Sequence, residues 1–133
     1  QRYLNSLKNK VSDLGISDKI TFTGSRSDIV NIYKLSDIVF NLSIKPEPFG
    51  RTTIEAISCG SKVVGWNHGG TKEILDELYP SGLVPLNDMK KLKDTVIEVS
   101  KDEHLHPDKN TFTSKKMTEH TLQLYYQLCK TSS

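Results

Sequence analysis

Pro46-Glu47-Pro48-Phe49-Gly50-Arg51-Thr52-Thr53-Ile54-Glu55-Ala56 places two carboxylates across a turn rich in proline and glycine and the first residues of a helical pattern. The first N–H groups of a helix have no intrahelical partner, and an anion can take them up. Gly50 has no Cβ, so a ligand can come close to the backbone there. The amides of Phe49, Gly50, Arg51 and Thr52 are the candidate donors, and Thr52 and Thr53 add hydroxyls at the same end. Such a set suits a diphosphate. Carboxylates are poor phosphate partners but good acceptors for sugar hydroxyls. Helical side chains lean toward the N-terminus, so Glu55 can reach back to the loop, while Glu47 stands ahead of the helix. Two hydroxyl clamps on either side of a diphosphate match the layout of a nucleotide sugar: ribose, diphosphate, sugar. A turn followed by a solvated helix face is the plainer alternative, and spacing alone leaves both open.

Other reactive side chains carry weaker signals. His68 sits in a His68-Gly69-Gly70 loop at another strand end, where a structural role is favoured over a catalytic one. His104, His106 and His120 fit the surface, and none has the spacing of a metal ligand. Cys59, beside Gly60, reads as a small buried hydrophobe. With Cys129 it makes neither a disulfide framework nor a metal site, which fits a reducing, cytoplasmic setting.

The elements that must position this loop follow from periodicity. Leu4, Leu7, Val11 and Leu14 recur at helical spacing, and Gly15 follows as a C-terminal cap. Lys19–Thr23 alternates like a short strand ended by Gly24. Ser25-Arg26-Ser27-Asp28 offers N-cap chemistry to a short helix carrying Ile29, Ile32, Tyr33 and Leu35. Ile38–Leu42 is a nearly continuous apolar run, as in a strand buried on both faces. A helical pattern over Arg51–Cys59 stops at Gly60, and Lys62–Trp66 is the next strand. A helix over Thr71–Leu78 ends before Pro80 and Gly82. Leu83–Leu86 is a weak edge strand, demoted by Pro85. Asn87 and Asp88 can cap a helix with Met89, Leu92, Val96 and Val99 on one face. After the polar stretch Asp102–Asn110, Phe112 and Met117 staple a last helix around a Thr113 N-cap. Strands alternating with helices predict an α/β fold: a Rossmann-like parallel sheet flanked by helices, with ligands at the strand C-terminal ends.

A chain of 133 residues is the size of a single domain and can bury about two-thirds of its unfolded surface. Hydrophobic residues at 35% and charged residues at 26% fit a folded chain, not a disordered one. Eighteen basic and 16 acidic side chains leave a net charge of +2, and the lysines of Lys90–Lys93 and Lys115-Lys116 fall in helical patterns. A nucleic-acid partner is not expected from that balance. No apolar run approaches the roughly 20 residues of a membrane helix, and the N-terminus has no signal-peptide pattern.

The stretch from Glu47 to Ala56 resembles the E-x7-E signature of retaining glycosyltransferases of the GT-B fold, family 4 type (glycosyl transferases group 1). Ser58-Cys59-Gly60-Ser61-Lys62-Val63-Val64-Gly65 is similar to that family's A-x-G-x-P-V-V segment. His68-Gly69-Gly70-Thr71-Lys72-Glu73-Ile74 looks like its GG-x-x-E turn, and Phe112–Tyr126 resembles its C-terminal helix. The match keeps its order over nearly the whole chain.

The resemblance implies a GT-B C-terminal domain, which binds the nucleotide-sugar donor, UDP- or GDP-linked. It implies that Glu47, the catalytic candidate, contacts the transferred sugar and Glu55 the ribose hydroxyls. Amides around Phe49, Gly50 and Arg51 would hold sugar and phosphate, with Thr52 or Thr53 at the diphosphate. The base would lie near Gly24, Ser25 and Arg26. Members of the family usually need no metal, and no Asp-x-Asp occurs here, so neither metal nor cofactor is expected. Polysaccharide or glycolipid biosynthesis is the implied setting, with membrane association only through other parts of a longer protein.

Arg51 stands where Leu is common in the family and Lys62 where Pro is common. The family's first strand and glycine turn, its Arg/Lys loop for the leaving diphosphate, and its N-terminal acceptor domain have no counterpart in these residues. The expectation is therefore the latter part of a donor-binding domain, inactive in transfer on its own. A non-catalytic nucleotide-sugar module, or a GT-B relative such as a sugar-nucleotide epimerase or a phosphorylase, are the rival readings.

Overall fold

The computed structural model describes residues 2–101 and, beyond them, Glu103, Phe112, Thr113, Lys115, Lys116, Thr118, Glu119, Leu122, Gln123 and Gln127. Apart from Glu103, the stretch Asp102–Asn110 lies outside the described residues, as does much of the last expected helix. The Thr113 cap is seen, since its Oγ1 accepts from the Lys116 amide at 3.2 Å.

Strand β1 (Ile38–Asn41), β2 (Lys62–Trp66) and β3 (Leu83–Val84) form a parallel sheet in the order β1-β2-β3. Parallel neighbours need crossovers, and the helices supply them. Helix α1 (Arg2–Asp13) and α2 (Ile29–Leu35) precede β1, and α3 (Arg51–Ser58) links β1 to β2. Helix α4 (Gly69–Leu78) and a single 3-10 turn (Pro80–Gly82) link β2 to β3, and α5 (Met89–Lys101) follows. Asn41 of β1 stands in register with Gly65 of β2, and Trp66 of β2 with Val84 of β3.

The core centres on β2. Val63 and Val64 point to opposite faces of the sheet, yet both are fully buried. Ala56 and Ile57 of α3 join them, with Ile74, Leu75 and Leu78 of α4 and Leu92 and Val99 of α5. With Thr53 of α3 and Val96 of α5 these positions fall at spacings of three and four, the period that brings one face of each helix to the sheet. Cys59 is partly buried against this cluster, as its neighbours suggested.

Two expectations need correction. Lys19–Thr23 is not a strand: these residues are exposed, and none of the described residues pairs with them. Alternation supplies a face, whereas a ladder also needs a neighbour's N–H and C=O groups. Phe40 is 47% exposed, so β1 is not covered on both faces by the described residues. The weak edge strand expected over Leu83–Leu86 is seen as the two-residue β3 at the edge of the sheet, its pairing ending at Val84, one residue before the N–H that Pro85 lacks. The Asn67 amide then donates to the Val84 carbonyl at 2.7 Å, closing that end.

Helix α1 has no buried residue: Leu4 of its apolar stripe is exposed, and so is Leu14 just past its end. Asp28 stands at the N-cap position of α2 but makes no side-chain cap bond. Its carboxylate is taken by Arg26, at 2.7 Å from Nε and 2.5 Å from one terminal nitrogen. Among the described residues no helix is long and apolar enough to cross a membrane.

Candidate functional site

The C-terminal ends of β1 and β2 lie side by side, and the loops leaving them are bonded together. The Trp66 indole Nε1 donates to the Leu42 carbonyl at 3.1 Å. His68 Nε2 lies 2.9 Å from the Ser43 carbonyl, and because a carbonyl only accepts, the ring nitrogen carries the proton there. The Gly70 amide donates to the Glu47 carbonyl at 2.8 Å. His68 thereby ties the loop after β1 to the N-terminus of α4.

Two glycines make this contact possible. Gly50 is the N-cap of α3 and takes a left-handed conformation, φ 64°, which side chains seldom tolerate. A Cβ on Gly70 would stand 2.6 Å from the Phe49 carbonyl carbon and 2.8 Å from the Gly50 nitrogen. These are backbone atoms that cannot swing away. The loop therefore rests directly on the first turn of α4, and α3 starts from it.

Glu47 is half-buried in this loop. Its Oε2 accepts from Asn41 Nδ2 at 3.3 Å, and the same nitrogen donates to Thr53 Oγ1 at 3.0 Å. Thr53 is fully buried, so its hydroxyl is engaged in the core. The partly exposed Thr52 carries the hydroxyl of the pair nearer the surface. Asn41, 7% exposed, was not singled out from sequence. Its signal was present: an amide side chain interrupting an apolar strand at the end where α/β sheets bind ligands.

Glu55 lies one turn inside α3, partly exposed, with Arg51 at 3.4 Å in an i, i+4 ion pair. Tyr33 reaches the same turn from α2. Burial raises the pKa of its phenol and the nearby Glu55 carboxylate adds to the rise, while a hydrogen bond with Thr52 opposes it. Tyr33 is a second residue that sequence reading assigned only to a helix face. Phe49 is 58% exposed at the loop's outer edge.

The structure thus brings Glu47, Phe49, Gly50, Arg51, Thr52, Thr53 and Glu55 to one place, around the start of α3. Gly24 and Arg26 belong to a separate exposed segment, where the guanidinium is paired with Asp28. Among the described residues no hydrogen bond or ion pair joins residues 24–28 to residues 46–55. No group of three or more candidate metal-ligating side chains occurs among the described residues either.

At the C-terminal edge of a parallel α/β sheet, a glycine-started helix sets its first-turn amides beside two carboxylates. The family follows from comparison. Residues 1–120 match the model of glycosyl transferases group 1, and the chain belongs to that family. It is 28% identical over 129 residues to N-acetyl-alpha-D-glucosaminyl L-malate synthase of Bacillus anthracis, covering 90% of this chain and 34% of that protein. It is 35% identical over 97 residues to D-inositol 3-phosphate glycosyltransferase of Mycolicibacterium smegmatis, covering 71% and 22% respectively. Among solved structures, Anabaena HepE in complex with UDP and glucose superposes with a TM-score of 0.70 at 30% identity, over 77% of this chain and 28% of that one. The same protein has also been solved with UDP-glucose. The chain spans about a third or less of the curated relatives it matches.

Proposed function

We propose that the chain is the nucleotide-sugar-holding part of a retaining glycosyltransferase, which moves a sugar from a UDP- or GDP-linked donor to an acceptor held by another part of a longer protein. The observation that carries this reading is the placement of Glu47 and Glu55 on either side of the first turn of α3. First-turn amides and Arg51 suit the diphosphate, whose negative charge grows as the bond to the sugar breaks. Glu55 suits the ribose hydroxyls and Glu47 the transferred sugar. The UDP and UDP-glucose complexes of Anabaena HepE support the choice of ligand class. The substrate is the nucleotide sugar itself, and no metal or further cofactor enters the proposal.

Titration of the isotopically labelled chain with UDP and with UDP-glucose tests the reading. Amide shifts should centre on residues 49–53, with a Kd of roughly millimolar order for a partial site. Shifts centred on α5, or none up to about ten times that concentration, would refute it.

A further inference from the structure

We propose that Asn41 is a positioning residue for sugar recognition: it sets the Glu47 carboxylate and locks it to the first turn of α3 through Thr53. The role rests on the nucleotide-sugar reading above.

Asn41 is the last residue of β1, held in the ladder opposite Gly65. Its amide nitrogen has two N–H donors, and both are used: one on Glu47 Oε2 at 3.3 Å, one on Thr53 Oγ1 at 3.0 Å. A carboxylate offers only acceptors, so the nitrogen, and not the oxygen, of the side-chain amide must face Glu47. Thr53 is fully buried and Asn41 is 7% exposed, so the anchor end of this bracket is rigid. Only the Glu47 end opens toward the loop surface.

A free glutamate loses side-chain freedom when it grips a ligand, and a pre-set one loses less. Asn41 supplies that pre-setting from outside the ligand's reach. Its effect should therefore appear on the sugar that Glu47 contacts and not on the nucleotide. A purely structural asparagine would instead change stability and both ligands together.

The test compares Kd values for UDP and UDP-glucose in the 133-residue chain and in Asn41→Leu, Asn41→Asp, Glu47→Gln and the Asn41→Leu/Glu47→Gln double variant. Leucine fills a similar volume without donating. Aspartate keeps the shape but sets a second carboxylate against Glu47. Both should weaken UDP-glucose about three- to tenfold and move UDP less than about twofold. The double variant should be no worse for UDP-glucose than Glu47→Gln alone, the non-additivity expected when one residue acts through the other. In the unsubstituted chain, the Asn41 side-chain amide resonances should move with UDP-glucose and stay in place with UDP, a readout that survives if a variant fails to fold.

Equal weakening of both ligands, additive losses in the double variant, or side-chain resonances indifferent to the sugar overturn the role of Asn41. If Glu47→Gln itself spares UDP-glucose, the assignment of Glu47 to the sugar fails, and the role of Asn41 falls with it. A selective Glu47→Gln effect beside an unselective Asn41→Leu effect overturns Asn41 alone.

Discussion

The Gly70 amide donates to the Glu47 carbonyl at 2.8 Å, so the backbone of the loop that carries Glu47 is fixed by the helix that follows the next strand. The bond couples the start of α4 to the start of α3. The loop is thereby supported from below by β1 and from the side by α4.

Gly70→Ala should break this support. The new methyl group would meet Phe49 and Gly50 backbone atoms at 2.6 and 2.8 Å, and the loop would have to move. Overpacking of this kind costs about 1–3 kcal/mol. Urea denaturation should show that loss, and UDP affinity should fall with it. Unchanged affinity in a destabilised variant would separate the loop's position from ligand binding.

How far the sequence disclosed this arrangement depends on the range of the interaction. Helices α3 and α4 were legible because Ala56, Ile57, Ile74, Leu75 and Leu78 keep a helical period and their boundaries carry Gly or Pro. The glycine start of α3 was legible because it needs only local residues, Phe49 to Thr53. The Asn41–Thr53–Glu47 bracket was not, since each of its bonds joins separate elements and a lone Asn in an apolar run has no period to reveal it. Lys19–Thr23 shows the reverse error: its alternation is real, but no pattern within a segment names the strand beside it.

Arg51→Ala should barely change stability. Its ion pair with Glu55 is solvent-exposed, and such pairs contribute about 0–1 kcal/mol. Nucleotide affinity should nonetheless drop severalfold at low salt, because the guanidinium stands at the N-terminal end of α3. The difference between the parent chain and Arg51→Ala should shrink as salt rises, since exposed charges are screened within roughly 10 Å at about 0.1 M. A salt-independent loss would assign Arg51 a packing role.

Tyr33→Phe should change the alkaline limb of stability. The phenol's pKa is raised in the folded chain, chiefly by burial and then by Glu55. The folded state therefore holds the phenolic proton after the unfolded state has released it. That contribution is fully present below the unfolded value, about 10, and is lost as pH climbs through the higher folded value. Urea midpoints should fall more steeply above about pH 10 in the parent chain than in Tyr33→Phe. At neutral pH the phenol is protonated in both states, so this pH-dependent difference should vanish there. Parallel alkaline limbs would contradict this placement of the phenol.

Glu55→Gln and Glu47→Gln should divide the nucleotide sugar between them. Glu55 stands one turn inside α3, beside Arg51, so it can accept from ribose hydroxyls whether or not a sugar is attached. Its loss should weaken UDP and UDP-glucose alike. Glu47 stands ahead of the helix, with one carboxylate oxygen held by Asn41, so it should meet only the sugar. Its loss should weaken UDP-glucose and leave UDP nearly unchanged. Hydrogen bonds to a charged acceptor are worth about 1.5–3 kcal/mol, which makes each selective loss roughly tenfold or more. Calorimetric or NMR titration of both variants with both ligands measures all four values. Equal weakening of the two ligands by both substitutions would show that one carboxylate pair serves the nucleotide as a whole, and separate sugar and ribose clamps would have to be abandoned.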